Sequence, residues 1–202
     1  MAVIRAGCVS ARGCCLGCRV FAQAEARKVK VVWADPDDRT AVALARILWE
    51  HSLSRPLAVE PYHPDWQPLP PDADAVLVSG DRVVADPPIG FDRQIDLGAM
   101  WYEMTGLPLV LSVWTAPARQ RCCDLHDLLR EARAAGQGRA EEIARRYAPE
   151  HGWPEDLAVR CLASRMEYEF TDEHREGLED FLHLAASSGV IEGVHPVRYY
   201  EH

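Results

Sequence analysis

Between Asp96 and Trp114 the chain reads DLGAMWYEMTGLPLVLSVW. Leu97, Met100, Trp101 and Met104 fall at i, i+3, i+4 and i+7, one apolar stripe on a short helix. Asp96 stands where an N-cap acceptor is wanted. Gly106 suits the left-handed residue that ends a helix, and Pro108 forbids continuation. Leu107–Val113 is then an almost unbroken apolar run, the pattern of a strand covered on both faces. A capped helix feeding a buried strand is half of an α/β crossover, and taken singly these residues read as scaffold.

The same alternation of periods recurs upstream. Val29–Ala34 is an apolar run of strand length that ends in Asp35-Pro36-Asp37-Asp38. From Arg39 to His51, Leu44, Ile47, Leu48 and His51 mark a helix face. In open α/β sheets ligands bind at the carboxyl ends of strands, where such a loop sits. The first-turn N–H groups of Thr40 and Ala41 lack helical partners. Two occupants fit them equally: a ligand carboxylate, or the side chain of Asp37 or Asp38. Residues 54–73 are proline-rich, with Tyr62 and Trp66, and predict a loop or edge excursion. Ala73–Val78 reads as a third strand, ending in Ser79-Gly80-Asp81. Asp81 either lines a cleft or closes a turn, the latter being the commoner role. Three strands, at 29–34, 75–78 and 107–113, predict a parallel-type α/β lobe over residues 29–115.

After Trp114 helical spacing dominates. Leu125, Leu128, Leu129 and Ala132 form a stripe closed by Gly136 and Gly138. Arg139–Ala148 is a charged helix ended by Pro149, and Pro154 opens another with acids in its first turn. Met166–Phe170 suggests a short strand. Thr171 caps a last helix carrying Leu178, Phe181, Leu182 and Ala185, stopped by Gly189. No internal repeat is present.

Composition narrows the function. The 202 residues carry a net charge of −9, which argues against nucleic acid or an anionic membrane surface as main partner. No apolar run approaches the roughly 20 residues of a membrane span, and Arg5 and Arg12 interrupt any signal-peptide core. A cytoplasmic protein is expected, and its seven cysteines then read as free thiols. Cys15-x-x-Cys18 has metal-ligand spacing, with Cys122-Cys123 as a conceivable second pair. Adjacent cysteines rarely ligate one ion well, so no metal is expected and Cys15 and Cys18 read as small, thiol-bearing strand residues.

Three blocks in this order, DPDDRTAVALARILWEH, DAVLVSGDRVV and DLGAMWYEMTGLPLVLSVWTA, together with the C-terminal YEFTDEHREGLEDFLHLAASSGVI, resemble the MqnA family. The likeness spans roughly residues 10–200. Members are chorismate dehydratases of the futalosine route to menaquinone, with a type II periplasmic-binding-protein fold. The resemblance implies an α/β lobe over residues 19–115 and a helical segment over 116–202 that returns to the first lobe. It also implies that the first lobe is incomplete, because a strand and part of that lobe normally precede the segment matching Arg12–Phe21. The asparagine proposed as catalytic in the family lies in that portion, and no base is assigned here. By the same resemblance Thr40 and Ala41 match the pair that holds a ligand carboxylate, and Arg39 adds charge beside them. Asp38-Arg39-Thr40-Ala41 replaces the family's usual SRTS, and Gly17-Cys18 replaces a serine and a valine. The implied reaction is a lyase step, chorismate to 3-[(1-carboxyvinyl)oxy]benzoate by loss of water, needing neither cofactor nor metal. The alternative is a non-catalytic protein of the same descent that binds small anions or a partner. A homo-oligomer covering the incomplete lobe is a further expectation.

Overall fold

The computed structural model describes residues 1–64, 68–117 and 123–200, except for the side chain of Cys123. Trp66 and Cys122 lie outside the described residues.

Two sheets organise the chain. The larger has the order β4-β3-β5-β2-β6, built from β2 (Cys18–Ala22), β3 (Val31–Ala34), β4 (Ala58–Pro61), β5 (Ala75–Ser79) and β6 (Arg93–Asp96). β3 runs parallel to β4 and β5, and β2 is antiparallel to β5 and β6. The proline-rich excursion supplies β4, an edge strand as expected of such a segment.

One face of this sheet is covered by α1 (Arg39–Leu53) and α3 (Leu97–Thr105), through Leu44, Ile47, Leu48, Trp49, Leu97 and Trp101. Trp49 completes its bonding by donating its indole N–H to the Val29 carbonyl at 3.1 Å. On the other face Phe21, Val76 and the short helix α2 (Arg82–Ala85) pack with Trp33, Tyr62 and Phe91. Neighbouring positions such as Val20 and Phe21 therefore enter different clusters, the period-2 geometry of a strand.

The third predicted strand belongs elsewhere. β7 (Leu109–Ala116) pairs antiparallel with β1 (Ala2–Ala11), from Ala2 opposite Ala116 to Ala11 opposite Leu109. With β8 (Met166–Glu167) they form a separate sheet of order β7-β1-β8. The expectation that Leu107–Val113 completes the parallel lobe is therefore corrected. So is its two-sided burial, since Leu111 is 37% and Trp114 53% exposed. An apolar run shows that a strand has partners, not which sheet supplies them.

The helical second half comprises α4 (Cys123–Gln137), α5 (Ala140–Tyr147), α6 (Glu155–Arg160) with a π-helical turn over Cys161–Arg165, and α7 (Asp172–Ser187). α7 returns to the first core. Phe181 meets Trp101 with ring centroids 5.9 Å apart, and Ala185 is buried beside α1. Gly177 lets α7 approach β7, because a Cβ there would sit 2.4 Å from the Pro108 carbonyl oxygen. A smaller cluster of Ala144, Ala148 and Ala158 with Trp153 and Leu162 holds α5 and α6 together.

Candidate functional site

The N-terminus of α1 is closed by its own sequence. Asp38 accepts a hydrogen bond from the Ala41 N–H at 3.2 Å with one carboxylate oxygen, and from the Ser79 hydroxyl with the other. Of the two occupants considered for this turn, the structure contains the carboxylate of Asp38. Ala41 is buried in the core beneath it. Arg39 and Thr40 are exposed and line a different space, a groove of about 550 Å³ between α1, β4 and the end of α7. Arg46, two turns along α1, lines it too, over a floor including Val42, Val59, Phe181 and Ile191. Neither Arg39 nor Arg46 has a hydrogen bond or ion pair among the described residues. The three expected ligand-holding residues are thus divided: two at the groove, one engaged by Asp38. Arg46 went unassigned in the sequence, although its i, i+7 relation to Arg39 was the available signal.

The loop between β1 and β2 is organised by Asp96. Its carboxylate accepts from the N–H groups of Cys15 at 3.1 Å, Leu16 at 3.1 Å and Ala99 at 3.0 Å, and from the Cys14 thiol at 2.9 Å. The Arg19 guanidinium lies 3.5 Å away. Burial pushes the Asp96 carboxyl up, but the Cys14 thiol and the three N–H donors together hold it below the usual carboxylate value. Leu16 takes a left-handed backbone, φ 58°, and Gly80 donates to the Gly17 carbonyl at 2.9 Å, joining this loop to the end of β5.

Asp81 faces the helical half. It stands at the N-cap of α2 but makes no capping bond with its side chain. Its two oxygens instead meet His151 Nδ1 at 2.7 Å and the Trp153 indole N–H at 2.8 Å. A cavity of about 240 Å³ opens there, lined by Asp81, Tyr147, His151, Trp153 and Cys161. Asp81 therefore lines a cleft rather than fastening a turn.

A sequence profile described as menaquinone biosynthesis matches residues 1–187. The chain belongs to the MqnA family of menaquinone biosynthesis. The match takes in β1, so the family pattern begins earlier than the block-by-block resemblance indicated. Among solved structures, protein AF1704 from Archaeoglobus fulgidus is similar, with a TM-score of 0.65 and 19% identity over 94% of this chain and 73% of that one. That likeness concerns the fold, which is of the periplasmic-binding-protein type. Among the described residues, no helix is long and apolar enough to cross a membrane.

Within this MqnA chain the cysteines behave as core residues. Cys15 and Cys18 are buried, and burial pushes both thiols up, Cys15 to about 11. They remain protonated near neutral pH, the form a metal ion would have to displace. The conceivable second pair lies outside the described residues for Cys122 and for the side chain of Cys123. Among the described residues, Asp35, Asp37 and His63 bring their ligand atoms within 4.8 Å of one another. The group is partly exposed, at the mouth of the loop before α1, and sequence spacing alone did not single it out.

Proposed function

We propose that this chain acts in menaquinone biosynthesis as a lyase on chorismate, yielding 3-[(1-carboxyvinyl)oxy]benzoate and water. The observation that carries the reading is the groove at α1, where Arg39, Thr40 and Arg46 stand over an apolar floor. Two unpaired guanidinium groups suit a substrate with two carboxylates, and the floor suits its ring. Hydrogen bonds to charged groups contribute about 1.5–3 kcal/mol each, so two such pairs approach but do not reach the roughly 8 kcal/mol of micromolar affinity. Apolar contact with the floor supplies the remainder.

The reaction breaks one ring C–H bond and one ring C–OH bond. The proton and hydroxide leave as water, and the ring becomes aromatic. No electrons are exchanged with a cofactor. What the protein has to supply is position and exclusion of water, with a base that a substrate carboxylate itself is able to provide.

Asp38 favours a second reading, a small-anion-binding protein without turnover. Its carboxylate occupies the Ala41 N–H and places negative charge at the turn where the family holds a ligand. Incubation with chorismate, followed by chromatography of substrate and aromatic product, separates the two. Turnover that falls at least about tenfold in Arg39→Met and Arg46→Met supports the lyase. Saturable binding without product supports the second reading, and no binding at all removes both.

A further inference from the structure

We propose that the cavity between the β1–β7 sheet and helices α4 and α5 is a binding site for an apolar carboxylate, with Arg133 as its anion partner. The cavity measures about 460 Å³, within the size range of small-molecule sites. Val113, Trp114, Leu129, Ile143 and Leu162 line it, and Arg133 is the charged residue in its wall. It is separate from the groove at α1, with which it shares no lining residue.

Two independent observations point to an occupant. The first is Arg133 itself. It is half-buried, it makes no hydrogen bond or ion pair among the described residues, and its Nε is sealed from solvent without a partner. An ionised group drawn into an apolar wall is costly unless an anion meets it. The arrangement is built and not a stray rotamer. Gly7 leaves the room, because a Cβ there would sit 2.9 Å from Arg133 Cδ and 2.9 Å from the Tyr168 carbonyl oxygen. The second observation is surplus apolar surface. The stripe on α4 is only partly used in packing, with Leu128 62% exposed, and Trp114 across the cavity is 53% exposed. A cation in an apolar, partly aromatic enclosure selects an acid with a hydrophobic body over a sugar, a nucleotide or a bare inorganic anion.

The test uses 4-phenylbutyrate and its uncharged analogue 4-phenylbutan-1-ol, titrated calorimetrically into the full chain. Hydrogen exchange is followed in parallel at residues 109–116 and 123–147. The acid is expected to bind saturably, at least about tenfold more tightly than the alcohol, and to slow exchange in those two segments. Arg133→Met should abolish the preference for the acid, and Arg133→Lys should retain most of it. Ala132→Trp, at an exposed lining position, should block both probes while leaving Arg133 in place, so the result does not depend on one variant folding. Equal affinity for acid and alcohol overturns the proposal, as does a preference that survives Arg133→Met. So does failure of either probe to bind. Concentration-dependent dimerisation that protects the same segments and excludes the probes overturns it too, and assigns the face to a second copy of the chain.

Discussion

Asp96 shows how one carboxylate fixes two pieces of chain at once. It caps α3 through Ala99 and holds the β1–β2 loop through Cys14, Cys15 and Leu16. Asp96→Ala should lower stability by at least about 2 kcal/mol, since a cap alone accounts for about 0.5–2 and buried donors are left unpaired as well. Chemical denaturation at neutral pH measures this. Because its folded-state pKa is depressed, the contribution is present above the ordinary value of 3.8 and is lost as pH falls through the folded value. The cap was legible from Asp96 preceding an apolar stripe. The second set of donors was not, because Cys15 lies 81 positions away and no local pattern encodes such a contact. His174 is a parallel case. Burial pushes its imidazole below the ordinary 6.5, against the pull of Glu167 3.0 Å from Nε2. The fold therefore prefers the neutral ring, and its contribution is full above about pH 6.5 and declines as pH falls below it. His174→Gln should flatten the loss of denaturation midpoint between about pH 7 and pH 5. Thr171 was legible as a cap, but its capping box with His174 departs from the usual acidic or amide partner.

Elements succeed or fail here by how closely their backbones approach. Gly177→Ala should cost about 1–3 kcal/mol or more, because the new methyl meets the Pro108 carbonyl, backbone that cannot step aside. Gly98→Ala should behave alike, its Cβ falling 2.7 Å from the Gly13 carbonyl oxygen. Thermal denaturation of both variants beside Gly136→Ala, where nothing lies within 4 Å, separates crowding from a general effect of losing glycine. Helix extents came readily from the sequence, as α1 and α3 start at the capped positions and end at or just beyond their last apolar-stripe residues. The sheet assignment of β7 did not, since periodicity reports a strand but not its neighbour. The stripe on α4 was read as core and is half surface, because the pattern marks an apolar face without saying what covers it.

At the scale of the molecule, Asp81 links the larger sheet to the helical half through His151 and Trp153. Asp81→Ala should speed hydrogen exchange in residues 140–165 and leave β3 and β5 unchanged. Equal acceleration in both would mean that the contact supports the whole fold instead of joining its parts. The candidate groove was half legible: Arg39 and Thr40 came from the family resemblance, whereas Arg46 and the floor from α7 depend on folding. If Asp38 holds back the ligand site at Ala41, Asp38→Ser should tighten chorismate binding, and unchanged affinity by calorimetry would exclude that role. The pairing of β1 with β7 has a consequence for biosynthesis. Ala11 meets Leu109 and Ala2 meets Ala116, so this strand finds its partner only about a hundred residues later. At about 5–20 residues per second, a growing chain leaves β1 waiting roughly 5–20 s on the ribosome with its ladder unformed. Its residues Ala2, Val3, Ile4 and Ala6, buried in the finished protein, are during that interval a ready surface for nascent-chain chaperones, and slowing translation before Leu109 should increase their capture.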